Sequence, residues 1–574
     1  MTEPAGTVSR VNGPVVEIVG LQGVSASDLV RVGPHGLMGE VVSLRDGVAT
    51  AQVYEYTGGL APGDSAVCDH FPLAARLGPG LLGGVFDGTL RRLDAAPLWL
   101  DPATRTTDAS DGVWTFTPAD GVEGTHVRGG AILGVVREGS LEHRVQVPPG
   151  IEGVVSGMAN AGSYGAGERV ALVGESEVTM VHRWPVRMPR PVAERIEQSV
   201  QLITGQRVID LLYPVAMGST AAVPGGFGTG KTLLLQQIAK WCNAEVIVYV
   251  GCGERGNEMT DVLHEFSALR DPSSGARLME RTVIIANTSN MPVMAREVSI
   301  YTGVTVAEYY RDMGFDVVLI ADSTSRWAEA LREFASRTGQ LPAEEGYPAG
   351  LASALAAFYE RAGRVRTLGG AVGSVSIVAA VSPPGADMTE PVTSQTRRFI
   401  RCVWSLDRDL AYARQYPAVS WRESFSRDAE AVGSQHVVEA DPGWLDRRAR
   451  ALALLAEADR IEPLVELVGL TALPDRQRVT RRAAQLLRDA VLRQSALSEN
   501  DAFCAREKQN ALLTSVLDVI DRLFQLADAG MPAPRIEELD LSVMTGAAAS
   551  AGPSDADAVL AARAAVLASL EGTA

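Results

Sequence analysis

One segment constrains this chain more than any other: Gly225-Gly-Phe-Gly-Thr-Gly-Lys-Thr232, which fits the pattern G-x-x-x-x-G-K-[ST]. Glycines let the backbone turn tightly and point successive N–H groups at phosphate oxygens, and a following helix adds its positive end. The pattern after the loop is helical over 233–240, and an apolar strand pattern follows over 245–250. The segment therefore predicts a nucleotide-phosphate site in an α/β domain.

The residue types within the loop predict separate roles. We expect Lys231 to neutralise the β- and γ-phosphates and the Thr232 hydroxyl to ligate Mg²⁺. Lysine is otherwise rare, since the chain has only three, at positions 231, 240 and 508, and codon bias in a GC-rich genome explains that rarity. The predicted nucleotide-binding positions are Gly225, Gly226, Phe227, Gly228, Thr229, Gly230, Lys231 and Thr232.

Two acidic elements follow the loop. The first is Gly251-Cys-Gly-Glu-Arg-Gly-Asn-Glu258, in which Glu254 is placed to orient or deprotonate a water and Arg255 to fix Glu254 or touch phosphate. The second is the apolar run 317–321 that ends in Asp322, a Walker B pattern. Because open α/β sheets bind ligands at the carboxyl ends of their strands, we expect Asp322 to reach the Mg²⁺ shell there.

Composition excludes several classes of protein. The 574 residues carry 69 acidic and 52 basic side chains, a formal charge of -17, which argues against a nucleic-acid binder or an anionic-membrane surface protein. No apolar run approaches the ~20 residues of a membrane span, and the start lacks a secretory signal pattern. Five scattered cysteines indicate reduced thiols. We therefore expect a soluble, cytosolic chain.

The hydrophobic pattern changes along the chain and predicts a multidomain α/β protein. Short valine-rich strands over 1–75 predict a small β-barrel, and a second strand-and-turn region spans 112–190. Apolar strands alternate with helices over 191–434, which together with 76–111 is assigned to a P-loop nucleotide-binding domain. The remainder, 435–574, is predicted to be helical, with one apolar face over 512–524.

Four motifs together resemble the catalytic A subunit of the vacuolar/archaeal-type (V/A-type) rotary ATPases. They are Gly225-Gly-Phe-Gly-Thr-Gly-Lys-Thr232, Gly253-Glu-Arg-Gly-Asn-Glu-Met259, Ile320-Ala-Asp-Ser-Thr-Ser-Arg-Trp-Ala-Glu-Ala330 and Leu341-Pro-Ala-Glu-Glu-Gly-Tyr-Pro348. The likeness extends to Gly36-Leu-Met-Gly-Glu40, 78–88, 381–387 and 417–421, so it covers nearly the whole chain. It implies a RecA-like nucleotide-binding domain, with 112–190 as the inserted bulge (non-homologous) domain.

The resemblance also implies partners, substrate and further site residues. The substrate is ATP with Mg²⁺, and the partners are B-type subunits in an alternating ring of three A and three B, central and peripheral stalks, and a membrane rotor. The family's glutamate in G-E-R matches Glu254, and an arginine near the γ-phosphate matches Arg326. Tyr416 and Phe503 are candidates for contact with the adenine ring. The arginine finger is expected from the B subunit.

Some positions depart from the family pattern, and two other functions stay open. Val491 and Leu497 stand where the family often has aromatic residues, and Thr229 stands where eukaryotic members carry a redox-sensitive cysteine. The first alternative is a homohexameric export or nucleic-acid motor ATPase, against which the bulge domain and the acidic charge argue. The second is a non-catalytic ring subunit, against which Lys231 and Glu254 argue. Two roles for the tail after Pro553 are open, stalk binding and capping of the domain.

Overall fold

The computed structural model describes residues 6–94, 112–197, 199–270 and 275–572. Parts of the predicted segments 1–75 and 76–111, namely 1–5 and 95–111, lie outside the described residues. Within the described ranges, no helix is long and apolar enough to cross a membrane. The chain forms two compact units. The first comprises Met1–Glu197, Ala244–Ser382 and Asp387–Phe399, and the second comprises Gln198–Asn243, Pro383–Ala386 and Ile400–Ala574.

The first unit begins with a closed six-stranded barrel, whose strand order is β1-β2-β5-β4-β3-β6. Its strands are β1 (Gly6–Asn12), β2 (Val15–Val19), β3 (Asp28–Val32), β4 (Leu37–Arg45), β5 (Val48–Val53) and β6 (Ser65–Pro72). Alternate side chains point inward, so that Val16, Val30 and Val41 are fully buried in one core. This confirms the β-barrel predicted from the alternating valines.

Further strands follow in the first unit: β7 (Ala74–Leu77), β8 (Val85–Phe86), β9 (Val113–Pro118), β10 (His126–Arg128), β11 (Ile132–Glu138), β12 (Leu141–Gln146), β13 (Glu152–Ser156), β14 (Gly162–Gly165), β15 (Arg169–Val173), β16 (Ser176–Thr179), β17 (His182–Pro185) and β18 (Glu194–Ile196). Strands β9 to β16 form two four-stranded sheets, ordered β10-β13-β15-β16 and β12-β11-β9-β14. Two buried clusters each combine residues of both sheets, Leu133 with Val155 in one and Phe116 with Val170 in the other, so the sheets form one inserted β-rich domain.

The next segment belongs to the second unit. It contains β19 (Gln201–Leu202), a π-helical turn (Val208–Leu212), β20 (Val215–Ala216), β21 (Thr220–Pro224) and α1 (Lys231–Trp241). Every residue of β21 is buried, and β21 ends directly before the glycine-rich loop. The loop is therefore held between a buried strand and a helix, the context that a phosphate loop requires.

The first unit resumes with alternating strands and helices. They are β22 (Val246–Cys252), α2 (Gly256–Ala268), β23 (Thr282–Asn287), α3 (Val293–Asp312), β24 (Asp316–Asp322), α4 (Thr324–Arg337), α5 (Leu351–Tyr359), β25 (Gly363–Arg366), β26 (Val372–Val381) and α6 (Pro391–Phe399). Strands β26, β24, β22, β23 and β8 pair in that order, all in parallel. Because helices cover a parallel sheet on both faces, its strands are continuously apolar.

A buried polar network joins the inserted domain to α3 within the first unit. Glu138 accepts hydrogen bonds from the backbone N–H groups of Gly80 and Leu82, at 2.7 and 2.9 Å. Its other oxygen lies 2.6 Å from Nδ1 of His143, whose Nε2 lies 2.8 Å from the Tyr309 hydroxyl. The Glu138, His143 and Tyr309 side chains are all buried. A fully partnered buried network of this kind fixes one arrangement of the elements it joins.

The second unit continues with two short strands and a series of helices. They are β27 (Cys402–Val403), α7 (Arg408–Tyr412), β28 (Phe425–Ser426), α8 (Ala429–Val438), α9 (Trp444–Val468), α10 (Asp475–Leu487), α11 (Arg506–Asp528), α12 (Ala533–Glu537), α13 (Ser542–Ser550) and α14 (Ala556–Glu571). The predicted apolar face of α11 is buried, except for the half-buried Phe524. Helix α14 packs on α11 and buries Val559, Val566 and Leu570.

Lys508 is fully buried in the second unit and holds three chain segments together. Its ammonium donates to the carbonyl oxygens of Asn500, Ala548 and Ala551, at 2.8, 2.7 and 2.9 Å. The last two oxygens lie at the carboxyl end of α13, where the helix dipole favours a cation. Three carbonyls around one nitrogen match an ammonium, with its three donors, and not a planar guanidinium.

We expect Lys508→Met to lower the free energy of unfolding of the second unit by about 3 kcal/mol, because three carbonyls lose a charged donor. Lys508→Arg should also destabilise it, since the guanidinium does not fit the same place. Denaturant unfolding followed by far-UV circular dichroism measures both effects. Lys240→Met, on α1, is the control and should change the midpoint little. Wild-type midpoints for both Lys508 variants would contradict this account of the cluster.

Candidate nucleotide-binding site

The glycine-rich loop has a backbone shape that only glycine adopts readily at two positions. Gly228 and Gly230 have φ values of +80° and +88°, in the left-handed region. Thr229 is buried, and its hydroxyl donates to the carbonyl of Gly226 at 2.8 Å, which closes the loop on itself. Phe227, in contrast, is 82% exposed. The loop is therefore prearranged, with its backbone turned toward the start of α1.

Lys231 is the first residue of α1, and Thr232 follows it in the first turn. The Lys231 ammonium donates to the carbonyl oxygens of Gly225 and Gly226, at 2.6 and 3.1 Å. The positive charge is thus held directly over the loop. A helix N-terminus and an ammonium at one place form an anion site with the chemistry that phosphate requires.

The two aromatic candidates lie in the same unit as the loop. The Tyr416 ring is beside the loop, since a Cβ atom added to Gly230 would lie 3.7 Å from its Cε1 atom. Phe503 stacks on Trp241 at the carboxyl end of α1, with ring centroids 5.6 Å apart and planes tilted by 31°. Tyr416 is 39% exposed, so part of the residue is accessible to solvent.

The two positions at which the sequence departs from the family pattern have different surroundings. Val491 is fully buried, whereas Leu497 is 97% exposed. A valine in the core and a leucine in solvent offer no aromatic surface to a base. Tyr416 and Phe503 stay the aromatic candidates for the base.

The acidic residues lie at the carboxyl edge of the parallel sheet in the first unit. Asp322 ends β24, and it pairs in register with Gly251 of the neighbouring strand β22. Glu254 follows β22 by two residues, so both carboxylates emerge at the edge where parallel sheets bind ligands. Asp322 is buried, and the Tyr249 hydroxyl donates to its Oδ2 atom at 3.2 Å.

The environment of Glu254 raises its pKa to about 7. Burial is the largest cause, followed by the negative charge of Asp322 and by the hydrogen bond and charge of Glu258, while the positive charge of Arg326 opposes them. A carboxyl group with a pKa near the working pH is suited to accept and return a proton. The site thus gives Glu254 the property that a residue polarising a water needs.

The two predicted arginines occupy different positions in the first unit. Arg326, in α4, forms an ion pair with Glu329, with an N–O distance of 2.9 Å. Its Cβ lies next to Gly253, because a Cβ atom added there would meet it at 2.7 Å. Arg255 is exposed and immediately precedes α2. Arg326 is therefore a neighbour of the G-E-R turn, with its guanidinium paired to Glu329.

Three side chains next to the acidic group were missed by the sequence analysis: Tyr249, Glu258 and Glu329. Glu258 had a signal, because it is a second carboxylate four residues after Glu254 and lies in the first turn of α2. The signal at Tyr249 was weaker: it is the only residue with a hydroxyl group in the apolar strand β22. Glu329 lies three residues after Arg326, a spacing that brings side chains together on a helix.

The residues predicted to hold Mg²⁺ fit that ion chemically. Asp322 and Thr232 both supply oxygen, the ligand that Mg²⁺ prefers. The Asp322 carboxylate is buried and oriented by the hydroxyl of Tyr249, which is the kind of support that metal-binding carboxylates receive from their neighbours. Each of the two side chains therefore offers the type of atom that Mg²⁺ binds.

Comparison with known families accounts for four consecutive parts of the chain. Residues 8–68 match the beta-barrel domain of the ATP synthase alpha/beta family, 108–187 its barrel-sandwich domain and 205–426 its nucleotide-binding domain. Residues 435–531 match the C-terminal domain of V and A type ATP synthase. These matches confirm the multidomain α/β class with a β-barrel, a β-rich insertion, a nucleotide-binding domain and a C-terminal domain of the V/A type.

Relatives that match along almost the whole chain narrow this class. The V-type ATP synthase alpha chain of Nitrosococcus oceani is 48% identical over 92% of each chain. The A subunits of two archaeal A-type ATP synthases are similar to the same degree. That of Thermococcus onnurineus is 48% identical over 94% of each chain, and that of Methanopyrus kandleri is 47% identical over 93%. The chain therefore belongs to the ATP synthase alpha/beta family, in the branch of V-type alpha chains and A-type A subunits.

A solved structure shares the fold. The assembled ATPase EscN from the type III secretion system of enteropathogenic E. coli aligns with a TM-score of 0.64, covering 90% of this chain and 100% of that one. Its sequence is 21% identical to this chain, so the likeness concerns the fold alone.

Proposed function

We propose that this chain is the catalytic A subunit of a V/A-type rotary ATPase or ATP synthase, which interconverts MgATP with ADP and phosphate and couples the reaction to proton or sodium transport. The observation that carries the proposal is the complete set of Lys231, Glu254 and Asp322 in a chain 48% identical to subunits of that name. A non-catalytic ring subunit would not need this set.

In this proposal catalysis rests on positioning and charge. Lys231 and the N–H groups of the loop hold the β- and γ-phosphates and stabilise the charge that develops on them. Glu254 polarises the attacking water, and its pKa of about 7 lets it take up the proton near neutral pH. Mg²⁺, held by Thr232 and Asp322, neutralises phosphate charge. Arg255 fixes Glu254 or contacts phosphate, and Arg326 lies near the γ-phosphate.

Membership of this family supports a proposal for the assembly. We infer an alternating ring of three A and three B subunits around a central stalk, with a peripheral stalk and a membrane rotor completing the machine. The chain would then lie on the cytoplasmic side, bound to the membrane only through the complex. An arginine from the B subunit would complete the catalytic site, and no nucleic acid takes part.

The test is Mg²⁺-dependent ATP hydrolysis by this chain alone and after mixing with the B-type subunit of the same organism. We expect little activity alone and a rise on the order of 10³-fold on mixing, because a trans arginine contributes that much in related phosphoryl transfers. Equal activity with and without the partner would indicate a homohexameric motor instead. An assembled ring without activity would indicate a non-catalytic subunit.

A further inference from the structure

A buried glutamine, Gln494, lies in the loop between α10 and α11 and touches every segment that carries an aromatic candidate. It is 4% exposed, and its main chain and side chain bond to different parts of the second unit. Its backbone N–H donates to the carbonyl of Tyr416 at 2.8 Å. The position of Tyr416 beside the phosphate loop is therefore tied to Gln494.

The side-chain amide of Gln494 holds the segments around Phe503. Its Nε2 donates to the carbonyl oxygens of Gly205 and Asp501, both at 2.8 Å. Gly205 lies directly against the Phe503 ring, since a Cβ atom added to it would be 2.6 Å from Cδ2. Asp501 precedes Phe503 by two residues. The amide thus fixes both the surface under the ring and the chain that carries the ring.

The Gln494 side chain makes a third hydrogen bond, in which it is the acceptor. An amide is therefore required, because it combines two donors with an acceptor. Oε1 of Gln494 accepts the backbone N–H of Arg207 at 2.8 Å, while Nε2 supplies the two donors. An ionised glutamate has no hydrogen-bond donor, and a lysine has no acceptor. A methionine has no donor and only a weak acceptor. The polar atoms of this buried side chain are therefore fully used in joining three segments.

We propose that Gln494 is a positioning residue for the base of the bound nucleotide, which sets the spacing and orientation of Tyr416 and Phe503. The inference rests on the proposed ATP-binding function. Two aromatic rings held in place before binding do not have to be ordered by the ligand, so more of their contact with the base appears as affinity. The amide acts through the segments around Phe503 and through the position of the Gln494 backbone, whose N–H holds Tyr416.

The loop has a second support, so its overall fold does not depend on Gln494 alone. The Arg207 guanidinium is fully buried and donates to the carbonyl of Val491 at 2.7 Å and to the Asp501 carboxylate. Removing the Gln494 amide is therefore expected to loosen the Phe503 segment directly, and Tyr416 through a shift of the Gln494 backbone whose N–H holds it, while the loop stays attached.

The experiment compares two ligands on the full-length chain by isothermal titration calorimetry: MgATP, and magnesium tripolyphosphate, which has the phosphates without the base. We expect Gln494→Met to weaken ATP binding about tenfold and to leave tripolyphosphate binding unchanged. The matched control is Gln201→Met, another buried amide of the second unit, which donates to the carbonyl of Asp210 at 2.9 Å. It should leave the affinity for both ligands unchanged.

The outcomes separate this inference from the proposed function. Equal weakening of both ligands, or no weakening of either, in Gln494→Met would overturn the positioning role while wild-type ATP binding stands. A wild-type chain that binds neither ligand would instead count against the proposed function. If Gln494→Met does not fold, Gln494→Asn decides the matter, because it keeps an amide too short to reach Gly205 and Asp501.

Discussion

Replacing Glu254 with glutamine is expected to lower ATP hydrolysis by the assembled ring about 10²- to 10⁴-fold, the usual contribution of a positioned proton acceptor. Glutamine keeps the shape of the side chain but cannot take up a proton. The surroundings that raise the pKa of Glu254, namely burial and the nearby Asp322 and Glu258, would be preserved. The affinity for ATP should stay within a few-fold of wild type. We therefore expect kcat to fall and Kd to stay nearly unchanged.

The measurement is steady-state hydrolysis together with equilibrium binding of MgATP. Glu333→Gln is a matched control, because Glu333 is a surface carboxylate on α4 whose hydrogen-bond partner is Arg337, at 2.8 Å. That variant should hydrolyse ATP at the wild-type rate. Undiminished hydrolysis by Glu254→Gln in an assembled ring would show that another group activates the water, and the catalytic assignment would be wrong.

The second large effect is expected at Lys231. Lys231→Ala should reduce kcat about 10²- to 10³-fold, since one charged donor aimed at developing negative charge contributes that much, and it should also weaken ATP binding. Lys231→Arg should not restore activity. The ammonium lies close to the carbonyls of Gly225 and Gly226, and a branched guanidinium cannot take its place without displacing the loop.

Lys240→Met provides the comparison for Lys231, because Lys240 lies on the same helix at its other end. Binding of MgATP by calorimetry and hydrolysis by the ring would be measured for all three variants. Retained binding and hydrolysis in Lys231→Ala would mean that the loop does not hold the phosphates of the substrate. A similar loss in Lys240→Met would mean that damage to α1, and not loss of the charge, explains the result.

Local patterns allowed much of this molecule to be predicted. The phosphate loop was recognisable because glycines at fixed spacing encode its left-handed backbone, and α11 because its apolar side chains recur with the period of a helix. The parallel strands were recognisable because burial on both faces makes them continuously apolar. In each case a few neighbouring residues carry the whole signal.

Other features depend on residues that are distant in the sequence. Tyr249 meets Asp322 across 73 positions, and Gln494 meets Gly205 across 289. Each of these residues looks ordinary in its own segment, and only the folded chain gives it a partner. For the same reason the surroundings that raise the pKa of Glu254 could not be predicted, although the residue itself was identified.

The two ammonium clusters have a consequence for how the chain tolerates mutation. Lys231 and Lys508 are both enclosed by carbonyl oxygens, two in the loop and three near α13. In a chain with 52 basic residues and only three lysines, arginine stands at nearly every other basic position. Replacement of a lysine by arginine, which needs a single base change, would leave an exposed position stable. At Lys231 and Lys508 the same replacement would displace the surrounding carbonyl groups, because a guanidinium does not fit among them.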